Sequence, residues 1–161
     1  MVNEADRLID QFRRAQSGDP WHGSPLTAIL KGVTARQAAT KPPGGGHSIW
    51  ELVLHVTNWR HEVAARATGQ PAGLPAAGNW PAIGAPTPAR WKAALAALGA
   101  SHQHLAKVVR GMSDERLLEP TNDPRTKRGT GVSYYQLLHG IVQHDAYHAG
   151  QMAILKKVLG I

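Results

Sequence analysis

From Ser133 to Leu159 the chain reads SYYQLLHGIVQHDAYHAGQMAILKKVL, and no other stretch limits the fold so tightly. Leu137, Ile141, Met152 and Leu155 return at a turn of about 100° per residue, which predicts one long amphipathic helix. Ser133 with Gln136 three residues later reads as a capping box, satisfying backbone N–H groups that a helix start leaves open, and Gly160 closes the far end. Such a helix has to bury its stripe against other elements. The inward face also carries His144 and His148, four residues apart. A neutral imidazole has one donor and one acceptor, and burying either without a partner costs free energy. A bound metal ion supplies one such partner.

The rest of the chain supplies the helices it needs. Ala5, Leu8, Ile9, Phe12 and Ala15 predict a first helix from Asn3 to about Ser17, stopped by Gly18, Asp19 and Pro20. Ser24 and Pro25 start a short helix over Leu26 to Leu30, and Thr34 caps another turn through Ala39. Lys41 to Gly46 is a loop; it lacks the preceding strand and the Lys-Ser/Thr ending of a phosphate-binding loop. Ser48 with Glu51 opens a second long helix through Ile49, Leu52, Val53, Val56, Trp59 and Val63 to about Thr68. Gly69 to Pro86 is rich in Gly, Pro and Ala, long enough to cross from one helix end to another and to lie over the bundle mouth. Thr87 and Pro88 start a third long helix with Trp91, Leu95, Leu98, Leu105 and Val109 on one stripe, ended by Gly111. Ser113 caps a short turn through Leu118, and Glu119 to Thr130 reads as a loop. Four long amphipathic helices with no strand and no repeat predict an all-α four-helix bundle with short extra helices in its loops, and residues 1–161 read as one domain.

Composition narrows the chemistry. With no cysteine, neither disulfides nor thiolate metal sites exist, and a metal has to use His, Asp or Glu. The formal charge of +7 invites nucleic acid as a partner, yet lysines and arginines are scattered apart from Arg125, Lys127 and Arg128, which read as a solvated loop. The opening is charged from Asn3-Glu4 onward without an apolar run, so the expectation is a cytoplasmic protein with no membrane partner.

His55 sits one turn from both Leu52 and Trp59, at the edge of the second helix's apolar face. Taken alone it reads as a hydrogen-bonded core-edge histidine; beside the middle of the last helix it becomes a ligand. Three imidazoles on one side of a metal leave positions for water or substrate, whereas a structural zinc site is closed by four protein ligands. His61 and His104 project to other sides, His102 reads as a core histidine, and His22, His47 and His139 show no comparable inward spacing. Gln151 and Tyr147 are the candidate catalytic groups, each with packing as the competing role. Asp145 either orients a neighbouring histidine or faces another helix, the latter being preferred. Glu51 is claimed by the cap, and Glu62 reads as solvated.

The segments WHGSPLTAIL, HSIWELVLHVTNW and LLHGIVQHDAYHAGQMAIL resemble the DinB-like superfamily of metalloenzymes, over nearly the whole chain. The specific parts are His55 followed by Trp59, and His144 and His148 trailed by Ala149-Gly150-Gln151. The resemblance implies a four-helix up-and-down bundle of unusual handedness, a homodimer, and one divalent metal on His55, His144 and His148. Zinc and nickel come first for that ion, with iron and copper also suited to imidazole. It further implies a metal-dependent thiol S-transferase acting on a low-molecular-weight thiol. The alternatives are a hydrolase using metal-bound water and a non-enzymatic stress-response or interaction module.

Overall fold

The computed structural model describes residues 3–128 and 131–161. Its long helices are α1 (Glu4–Ser17), α4 (Ile49–Ala67), α5 (Pro88–Arg110) and α7 (Tyr134–Val158), with short α2 (Leu26–Leu30), α3 (Ala35–Ala39) and α6 (Asp114–Leu118) between them. Their starts are local events. Capping boxes form at Thr34/Gln37, Ser48/Glu51 and Ser133/Gln136, and Thr87 caps α5 with Pro88 in its first turn. The expected loop after α6 holds a 3-10 turn, Pro124–Arg128; Gly129, Thr130 and the side chain of Arg128 lie outside the described residues.

Two apolar clusters fix the helix directions. One joins Ile49 to Val56 of α4, Trp91 to Leu98 of α5, and Ala149 and Met152 of α7. The other joins Val63 to Ala67, Leu105 to Val109, Tyr134 to Ile141, and Ala5 to Phe12 of α1. The first halves of α4 and α5 therefore meet the last half of α7. Helices α4 and α5 run in the same sense, while α1 and α7 run in the opposite one. In space, α4 and α1 each pack on both α5 and α7. The four-helix bundle stands as expected, and its directions are up, down, down, up.

Two adjacent parallel helices need a connection as long as the helix itself. Helix α4 has 19 residues, or about 28 Å at 1.5 Å per residue. The segment 68–87, devoid of helix or strand, makes that return trip. Among the described residues no helix is long and apolar enough to cross a membrane.

Candidate metal centre

Helices α4 and α7 pack antiparallel, which brings His55, two turns into α4, against His144 and His148 in the middle of α7. One ligand atom from each lies within 4.8 Å of the others. Ring centroids are 5.0 Å apart for His55 and His144, 4.6 Å for His55 and His148, and 4.4 Å for His144 and His148. His55 and His148 are each 5% exposed, and His144 is half-buried.

The second nitrogen of each ring decides what the first can do. His55 Nδ1 donates to the Asn79 carbonyl at 2.8 Å, and His148 Nδ1 donates to Gln151 Oε1 at 2.6 Å. Both acceptors fix the tautomer that leaves Nε2 with its lone pair. His55 Nε2 stands 3.0 Å from His144 Nε2, so this contact needs a shared proton or a cation between the two nitrogens. Burial, the largest influence, pushes the His148 pKa down to about 4; His144 and His55 add to the fall, and Gln151 opposes it. Burial also lowers that of His55. Rings kept neutral at pH 7 are metal-ready donors. Three imidazoles suit borderline divalent ions, and the donor set fits one.

Behind His144 stands a buried ion pair. Arg60 Nε donates to Asp145 Oδ2 at 2.9 Å, with both side chains almost wholly buried. Arg60 Nη1 also donates to Gln16 Oε1 at 2.9 Å and to the Leu98 carbonyl at 3.2 Å. One guanidinium thus ties all four long helices together. Asp145 faces another helix, as preferred from the sequence, and also stands beside the three-histidine cluster. Its Oδ1 lies 3.7 Å from His144 Nδ1, longer than a hydrogen bond, and neither atom has another partner among the described residues. His102 on α5 is lowered by burial first and by the Arg60 charge second, with Asp145 opposing.

The crossover segment covers the other side. Trp80 stacks on His55 with centroids 3.9 Å apart and on exposed His47 at 3.5 Å. Asn58 Nδ2 donates to the Gly78 carbonyl, and Trp59 Nε1 to Asn79 Oδ1, each at 2.8 Å. Those bonds aim the Asn79 carbonyl at His55. Arg60, Asn79 and Trp80 were absent from the sequence expectations, although Arg60 lies four residues after Val56 and three before Val63, on the buried stripe.

Of the candidate catalytic groups, Gln151 is bonded to His148, and Tyr147 is 64% exposed beside it, ring centroids 5.0 Å apart. Glu51 binds the Ser48 N–H and Lys41, while Glu62 pairs with Arg66 and accepts from the Gly73 N–H. His61 and His104 are exposed, as expected. A cavity of about 310 Å³ borders Gln151, the partner of His148, with His47 on one wall and Pro42, Leu52, Ile154 and Leu155 as its apolar lining. A family model described as the DinB superfamily matches residues 21–152, a span that holds all three histidines. Comparison with curated proteins and with solved structures gave no match.

Proposed function

The chain belongs to the DinB superfamily, and we propose that His55, His144 and His148 hold one divalent metal, zinc or nickel, that activates a low-molecular-weight thiol for transfer to an electrophile. The observation that carries this reading is the convergence of three imidazoles whose outer nitrogens are, for His55 and His148, tied to fixed acceptors. A divalent ion held there supplies Lewis acidity, which lowers the pKa of a thiol or water entering the open side. The protein has no cysteine and so contributes no thiol of its own; the thiol comes in as a substrate.

A thiol is favoured over water because of what surrounds the histidines. A hydrolase gains from a carboxylate poised to take a proton. Here Asp145 is locked to Arg60 behind His144, Glu51 serves a helix cap, and Glu62 holds Arg66 and the crossover segment. A thiol, with a free pKa of about 8.5, needs far less help to ionise than water does. The apolar cavity beside Gln151 suits an uncharged, apolar electrophile. Gln151 and Asn79 orient the ligating rings, and Trp80 shields His55 from solvent.

The test uses protein purified without an affinity tag, loaded with zinc or nickel, and offered a chlorodinitrobenzene together with a panel of cellular thiols. Conjugation that requires both metal and thiol is expected. Ester cleavage in the absence of thiol, with no conjugation above the metal-free control, would overturn the proposal in favour of hydrolysis.

A further inference from the structure

A second cavity, of about 520 Å³, lies between the end of α1, the α2 to α3 arm and the first half of α5. None of the three clustered histidines lines it. Leu30, Val33, Trp91 and Leu95 form its walls. Trp91 Nε1 already donates to the Val33 carbonyl at 2.7 Å, so the indole adds only an apolar face. Its polar side chains are Lys31, Lys92, Gln16 and the hydroxyls of Thr27 and Thr34, so the only charged groups in the lining are two ammoniums, with no carboxylate. Neither lysine forms an ion pair among the described residues. Gln16 is largely buried and its Oε1 accepts from Arg60, while its amide nitrogen stays open to solvent and donates to no atom among the described residues. That N–H faces solvent and is free to donate to an oxygen of a ligand in the cleft.

We infer that this cleft binds a small amphipathic anion, in its simplest form a medium-chain carboxylate. The apolar walls take the chain, the two lysines supply the countercharge, and Gln16 offers a hydrogen bond to an oxygen. A cation meets two ammonium groups there. A neutral alcohol fills the walls and leaves the charges unused.

Calorimetric titration with octanoate, decanoate and decanol tests the inference. Decanoate is expected to bind, with affinity rising about fourfold for each methylene beyond octanoate, and to outbind decanol several-fold. The Lys31→Gln/Lys92→Gln variant should bring decanoate down to the level of decanol while leaving decanol unchanged. Leu95→Trp, which fills the cleft, should abolish both, with its melting temperature reporting on the fold. Should that variant misfold, the lysine pair decides alone. His144→Ala should bind decanoate as the wild type does, because His144 does not line the cleft and makes no hydrogen bond to the Arg60–Asp145 pair. No decanoate binding, equal binding of decanoate and decanol, or indifference to the lysine substitutions overturns the inference.

Discussion

Helix α4 carries two histidines that each meet imidazoles from a neighbouring helix, and the two meetings differ in kind. His55 faces His144 and His148 on α7; His61 faces His104 on α5, with ring centroids 6.0 Å apart. Distance alone separates them little. Around His55 the outer nitrogens are anchored by Asn79 and Gln151, and Trp80 covers the ring. His61 and His104 are both exposed, and no hydrogen bond holds either ring among the described residues. A cation at that surface pair has to order two mobile rings and compete with water for them. Nearness of imidazoles is therefore not what makes a metal centre. Fixed tautomers, exclusion of water and a third donor are.

The largest effect expected from that difference is in metal content. Elemental analysis of tag-free protein should give about one metal per chain for the wild type and close to none for His148→Ala, while His61→Ala/His104→Ala stays near one. Equal content in all three breaks the comparison. Next in size is Arg60, which backs only the His55 region. Arg60→Met leaves Asp145 buried without its partner, at a cost of about 3–5 kcal/mol by urea unfolding. Adding Asp145→Leu should restore most of that loss, because the uncompensated charge goes too.

The two regions were also unequally legible in the sequence. Helix starts depend on contacts three residues long, so Ser48/Glu51 and Ser133/Gln136 announce α4 and α7 without any tertiary knowledge. The pair His144 and His148 is legible for the same reason, since a single helix sets its geometry. His55 required one more step, the packing of α4 on α7, and the family resemblance pointed the same way. Asn79 and Trp80 had no comparable signal, for their places follow from the path of the crossover segment rather than from a repeat. Its length did announce a crossing, though not that the crossing makes α4 and α5 parallel. Arg60 is the instructive case. Its spacing from Val56 and Val63 put it on the buried stripe, yet an arginine on a helix ordinarily reads as solvated.

Acid sharpens the comparison further. The His148 pKa is about 4 in the folded protein against 6.5 for an unperturbed ring. Between those values the unfolded metal-free chain takes up a proton that the folded one refuses. Stability therefore falls as pH drops from about 6.5 and levels off below about 4, by up to about 3 kcal/mol. Denaturant midpoints across that range should lose much of their slope in His148→Leu. His61→Ala should change the slope much less, because its exposed ring is screened by solvent.

The smallest and most discriminating effect concerns Gln151. Its Oε1 is the acceptor that fixes the His148 ring, so Gln151→Ala removes orientation without removing a ligand. Metal affinity by competition with a chromophoric chelator should fall about 10–100-fold, while the melting temperature moves little. Gln151→Glu keeps an acceptor in place and should retain wild-type affinity or exceed it. That pair of variants separates two explanations that the ligand substitutions cannot. If Gln151→Ala binds metal as tightly as the wild type, anchoring of the outer nitrogen is irrelevant, and the distinction between the His55 cluster and the His61–His104 pair reduces to three donors against two.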